Sequence, residues 1–182
     1  EMVERYANLI GGEWRLSDNF VENINPSDTS DVIGLYSQAS RSDVDDAVAI
    51  GRRAMRGWRT APLEQRQAIL NRIGAELMDR SAELGELLSR EEGKTLPEGR
   101  GEVYRAGQFF TYYAAEVLRQ IGENADSVRP GIEVDMRREP MGLVAVVSPW
   151  NFPIATASWK IAPALAYGNA VMWKPANETP AS

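Results

Sequence analysis

Short apolar runs broken by Gly11-Gly12, Asn25-Pro26 and Gly34, and closed by Val32, Ile33, Leu35 and Tyr36, predict β-strands and turns over residues 6–38. The period then changes. Ser42 and Asp45 read as an S-x-x-D capping box, after which Val44, Ala47, Val48, Gly51 and Met55 recur at helical spacing to about Trp58. Pro62 suits the first turn of a second helix, whose stripe of Leu63, Ile69, Leu70, Ile73 and Leu77 continues or restarts through Leu84, Leu87 and Leu88 until Gly93. Pro97 opens a third helical pattern, in which Val103, Ala106, Phe109, Phe110, Tyr113, Val117, Leu118 and Ile121 keep the spacing until Gly122. The helical region thus spans 42–121, and its last helix has an apolar face wide enough to imply deep packing.

Beyond it, Ile132, Val134 and Met136 alternate with Glu133, Asp135 and Arg137, which predicts a strand with one wet face in an exposed arm over about 123–140. Leu143 to Val147 is a continuous, mostly β-branched run, the pattern of a central parallel strand covered on both faces. A helix from Pro153 to about Tyr167 and a strand from Ala170 to Trp173 complete a βαβ unit within 143–182, and Glu178 to Ser182 reads as the first turn of a further helix. One βαβ unit cannot make a doubly wound sheet. The expectation is therefore that the sheet is completed by more of the same polypeptide or by another chain, and that these residues alone aggregate or depend on a partner.

Composition narrows the chemistry. A chain of 182 residues with 43% hydrophobic content is long enough to bury a core without disulfides or structural metals. It contains neither cysteine nor histidine, which excludes thiolate nucleophiles, imidazole bases, Ser-His-Asp triads and the usual zinc sites, so no metal is expected. The net charge of -6 and the lack of a long basic tract argue against nucleic-acid binding. No apolar stretch approaches the roughly 18 residues of a membrane span, and Glu1 to Ile10 lacks a signal-peptide block, so a cytoplasmic chain is expected. Gly93-Lys94-Thr95 is no phosphate-binding loop, because position 88 is Leu and helices precede it. Gly99-x-Gly101 lacks a third glycine, position 104 being Tyr, and Arg52, Arg53, Arg56 and Arg59 read as a solvated, ion-paired helix face.

The most informative stretch runs from Glu139-Pro140-Met141-Gly142 through the buried strand to Ser148-Pro149-Trp150-Asn151-Phe152-Pro153. Trp159-Lys160-Ile161-Ala162-Pro163-Ala164-Leu165-Ala166-Tyr167-Gly168-Asn169 and Trp173-Lys174-Pro175 follow it. It resembles the aldehyde dehydrogenase superfamily. Further matches at Ile10-Gly11-Gly12-Glu13-Trp14, Asn25-Pro26, Asp43 with Ala47, Trp58, Arg66 and Glu92-Gly93-Lys94 extend the resemblance over nearly the whole chain. It implies an α/β fold, the N-terminal part of a Rossmann-like dinucleotide-binding domain, with a β-rich start, a helical layer, an oligomerisation arm strand and the catalytic domain outside these residues.

The core motif falls where a parallel strand meets the following turn, the edge at which α/β proteins place ligands. Pro149 and Pro153 stiffen that turn, so Asn151 is held in a fixed direction. On spacing alone Asn151 is a turn residue; the resemblance implies instead that its amide helps stabilise the oxyanion of a tetrahedral adduct. Lys174 alone reads as a solvated charge, and the resemblance places it on the adenosine ribose. Three residues on, where the family commonly has a glutamate for the ribose hydroxyls, this chain has Asn177, which removes a repulsion against a 2'-phosphate; Glu178 next door is close enough to substitute. The resemblance further implies dinucleotide contacts at Val147, Ser148, Pro149 and Trp150, and a substrate tunnel at Phe152, Thr156 and Trp159, for which core packing is the alternative reading.

The activity so implied is NAD- or NADP-dependent oxidation of an aldehyde, with α-ketoglutarate semialdehyde or succinate semialdehyde as the substrate types, through a cysteine thiohemiacetal. Nucleophile and base are absent from these residues, which alone are expected to be inactive. A homodimer or homotetramer built through the strand near Val134 is implied. The competing reading is a short, non-catalytic homologue that uses the same strand as a binding or assembly module.

Overall fold

The computed structural model describes residues 3–119 and 122–182. The β-rich start is five short strands: β1 (Arg5–Tyr6), β2 (Asn8–Ile10), β3 (Glu13–Arg15), β4 (Phe20–Ile24) and β5 (Val32–Ser37). β5 is central to a three-stranded sheet, parallel to β1 and antiparallel to β4, while β2 and β3 form a hairpin across Gly11-Gly12, whose φ angles of 64° and 86° suit glycine.

Four helices follow: α1 (Arg41–Arg59), α2 (Leu63–Asp79), α3 (Ser81–Glu92) and α4 (Leu96–Val117). α1 starts two residues earlier than the sequence pattern suggested. Its capping box is Ser40 with Asp43, each side chain bonding the other's backbone, and Ser42 with Asp45 lies inside the first turns. The long apolar stripe is two helices, broken at Arg80, whose guanidinium bonds Glu76 behind and Glu83 ahead. Gly93 ends α3 in the left-handed region at φ 91°, as the sequence predicts. Thr95 and Glu98 cap α4, with Pro97 in its first turn; Ile121, assigned to this helical pattern, lies outside the described residues. Arg52, Arg53, Arg56 and Arg59 are exposed as expected, but among the described residues none of them forms an ion pair.

The core lies between α2, α4 and the later helix α5 (Pro153–Ala166), where Leu70, Phe110, Ala114, Val117, Ala162 and Ala166 are buried together. α2 and α4 touch through glycines: a Cβ built on Gly107 would stand 2.6 Å from the Gly74 carbonyl oxygen. β8 (Leu143–Val147) and β9 (Ala170–Lys174) are parallel, joined by α5, and both α1 and α5 pack on them. That is the expected βαβ unit.

Three expectations need correction. The strand pattern at 132–136 is β7 (Glu133–Met136), paired with β6 (Glu123–Asp126), and every residue of both is exposed rather than those of one face. β8 is not covered on both faces among the described residues: Val146 is buried, but Val147 is 75% exposed. Residues 178–182 form a turn, a bend and irregular chain, not a helix. They are held by Glu91, whose buried carboxylate accepts from Asn23 Nδ2 at 2.5 Å, Ala181 N at 2.6 Å and Ser182 N at 2.9 Å, tying β4 and α3 to this end of the chain. Burial still pushes the Glu91 carboxyl up from its ordinary pKa, despite those bonds.

Candidate functional site

At the carboxyl edge of β8 and β9 the chain turns through 148–152 into α5. Ser148 is buried, its N–H donating to the Lys174 carbonyl at 3.3 Å and its hydroxyl accepting from Trp173 Nε1 at 2.8 Å. This locks the start of the turn to β9. Phe152 closes it as the residue before α5 and offers no side-chain cap; Pro153 occupies the first helical position, where a missing N–H costs nothing. The cap comes from α4 instead. Glu102 Oε1 accepts from Ile154 N and Ala155 N, both at 3.1 Å, a carboxylate placed on the positive end of the helix dipole.

The other oxygen, Oε2, accepts from Lys94 Nζ at 2.6 Å, and the same ammonium donates to the Asn151 carbonyl at 2.9 Å and lies 4.2 Å from the centre of the Phe152 ring. The far end of α5 is held with the opposite sign. Arg66 Nη1 donates to the Ala166 carbonyl at 3.2 Å and Trp58 Nε1 to that of Leu165 at 2.9 Å, while Asn169 Oδ1 accepts from Gly142 N at 2.9 Å and fixes the start of β8. Trp58 and Arg66 are thus structural supports for the end of α5, and Asn169 for the start of β8.

Two clefts flank it. One of about 460 Å³ is lined by Asn151, Phe152, Ala155, Lys94, Glu102 and Arg105 among others. The Asn151 side-chain amide makes no hydrogen bond among the described residues and is exposed, so its donors are available to a ligand. The second cleft, of about 570 Å³, brings together Trp150, Asn177 and Glu178. Lys174 Nζ donates to Asn177 Oδ1 at 3.0 Å, joining two of the sequence-predicted residues side chain to side chain. Val147, Pro149 and Trp150 lie exposed along the same strand edge.

The predicted tunnel residues are only partly gathered. Phe152 lines the first cleft, but neither Thr156, half-buried in α5, nor Trp159 does. Trp159 stacks on Phe109 of α4, ring centres 5.2 Å apart, and stays 54% exposed. Lys160 forms no ion pair among the described residues; its ammonium lies 5.3 Å from the Trp159 ring centre. Sequence reasoning missed Glu102 and Phe109 as parts of the site, and it met Lys94 only in a rejected phosphate-loop pattern and as part of a resemblance. Periodicity alone marked Phe109 as apolar, and nothing local marked Glu102.

The sequence profile of the Aldehyde dehydrogenase family matches residues 14–182. The chain belongs to that family. It is 39% identical over 176 residues to an alpha-ketoglutaric semialdehyde dehydrogenase of Bacillus subtilis (strain 168), covering 96% of this chain and 36% of that protein. Among solved structures it resembles an E. coli NADP dependent enzyme, with TM-score 0.93, 30% identity, and coverage of 97% of this chain and 37% of that one. It also resembles a Staphylococcus aureus betaine aldehyde dehydrogenase solved in complex with NAD+, with TM-score 0.91, 34% identity, and coverage of 96% and 36%. The chain spans little more than a third of the length of these proteins, matching the N-terminal part of the aldehyde dehydrogenase fold. No helix among the described residues is long and apolar enough to cross a membrane.

Proposed function

We propose that this chain is the N-terminal portion of an NAD(P)-dependent aldehyde dehydrogenase that oxidises a semialdehyde to a carboxylic acid. Asn151 then supplies an oxyanion-binding amide. The observation that carries the reading is the Asn151 side chain, free of hydrogen bonds among the described residues while its backbone is clamped, at the carboxyl edge of a parallel strand pair.

The donor set also fits a dinucleotide. An exposed apolar edge at Val147, Pro149 and Trp150 adjoins an ammonium at the end of the neighbouring strand, which suits a ring or ribose beside an anionic group. In this role Lys174 and Asn177 bind the ribose end, Val147 and Trp150 exclude water from it, and the Ser148 backbone keeps the edge rigid. When bound, the nicotinamide supplies the hydride acceptor.

Asn151 acts on the substrate side. An aldehyde carbonyl gains negative charge as a nucleophile adds to it, and a preorganised amide donor lowers the energy of that charge more than that of the neutral carbonyl. The nucleophile is a cysteine outside this chain, which has none. Phe152, Thr156 and Trp159 form one wall of the aldehyde's approach. The Bacillus subtilis relative is named for α-ketoglutaric semialdehyde, which supports an oxo acid as substrate class. The wholly exposed β6–β7 hairpin suits the arm of a homodimer or homotetramer, acting in the cytoplasm.

The complete natural polypeptide carrying this chain, mixed with α-ketoglutarate semialdehyde and NAD or NADP, is expected to form α-ketoglutarate and reduced nicotinamide in equal amounts. Failure to oxidise that or any other aldehyde would overturn the reading.

A further inference from the structure

We propose that Lys94 and Glu102 are positioning residues for Asn151, fixing the 150–155 turn so that the Asn151 amide meets a developing oxyanion without reorganising. The inference rests on the aldehyde-oxidising reading above and deepens it.

Three segments meet at this point. Lys94 comes from the link after α3, Glu102 from the second turn of α4, and the Asn151 carbonyl from the approach to α5. Glu102 divides its oxygens: one takes the open amides of Ile154 and Ala155, the other the Lys94 ammonium. Lys94 passes the restraint to the Asn151 carbonyl and covers the Phe152 ring, with Glu92 Oε2 3.6 Å from its ammonium. The Glu102 side chain is 1% exposed and that of Lys94 10%, so water is a poor replacement for either partner. Backbone is held on both sides of Asn151 while its side chain is left unbonded.

That division of labour is what an oxyanion donor needs. Its value depends on being aimed before the charge appears, and a misplacement of about 1 Å costs about 100-fold in rate. A purely structural ion pair would instead contribute to melting temperature and leave the chemical step alone.

The test uses the complete natural polypeptide. Lys94→Met keeps the apolar stem over Phe152 and removes the charge; it is expected to lower kcat for aldehyde oxidation by about 10- to 100-fold, with the KM for NAD(P) little changed. Amide hydrogen exchange in the 150–155 segment should speed up in the same variant. Lys94→Arg, which can donate to both Glu102 and Asn151, should recover most of the lost kcat. Glu102→Gln keeps an acceptor for Ile154 and Ala155; it should lose kcat in the same way, and it serves if Lys94→Met does not fold. An active wild type whose variants keep kcat, or whose exchange at 150–155 is unchanged, overturns the inference alone. A wild type that oxidises no aldehyde overturns the functional reading and this inference with it.

Discussion

On the proposed reading, the side chain at position 177, beside Lys174, sets the choice between NAD and NADP. The ammonium sits 3.0 Å from the Asn177 amide oxygen, and Asn177 lines the same cleft as Trp150 and Glu178. A carboxylate at 177 would neutralise Lys174 and repel a 2'-phosphate, whereas the amide does neither. Asn177→Glu is expected to shift the ratio of kcat/KM for NADP over NAD towards NAD by about tenfold, as a repulsion of about 1.4 kcal/mol produces. Steady-state kinetics with both cofactors checks it. An unchanged ratio would show that Glu178, in the same cleft, already sets the preference. Asn151, Lys174 and Asn177 were singled out in the sequence through the family resemblance of one contiguous run of strand, turn, helix and strand, since spacing alone made Asn151 a turn residue and Lys174 a solvated charge. Glu102 was not, since it acts on residues 52 and 53 positions away and no spacing rule links a mid-helix carboxylate to a distant helix start.

Elements are joined here by polar contacts as well as by the apolar core. The β4–β5 loop is tied to α3 by Asp31, which accepts from Arg90 through both carboxylate oxygens and from Asn25. Hydrogen bonds from Arg90 and then Asn25 hold the Asp31 carboxyl down to about 2. A carboxyl depressed on folding contributes stability above its unfolded pKa of about 4, and the contribution is lost as pH falls towards the folded value. Asp31→Asn should therefore flatten the fall in melting temperature between about pH 4 and pH 2, measured by thermal melts against the wild type. Parallel curves would contradict the linkage. Element type was legible in most of the chain, and boundaries less so. Ser40 with Asp43 and Ser42 with Asp45 are the same S-x-x-D pattern in two registers, and only the backbone of Ser40 decides between them. β6 carries Glu, Asn, Ala and Asp, so no apolar alternation announced it.

At the scale of the molecule, α1 and α2 steady the C-terminal end of α5, α4 caps its start, and β9 locks Ser148, so the turn carrying Asn151 is held at both of its ends. The sequence predicted a βαβ unit behind a helical layer, and that arrangement is present; it also predicted a strand buried on both faces, and Val147 stands open instead. α1 and α5 pack on the strand pair but leave Val147, at the carboxyl end of β8, uncovered. The most direct measurement is kcat for aldehyde oxidation by the complete natural polypeptide and its Asn151→Ala variant, with thermal melts of both. If the amide is the oxyanion donor, kcat falls by about 100- to 1,000-fold while the KM for cofactor and the melting temperature stay close to wild type. A variant that keeps its kcat would make Asn151 a turn residue and contradict the account.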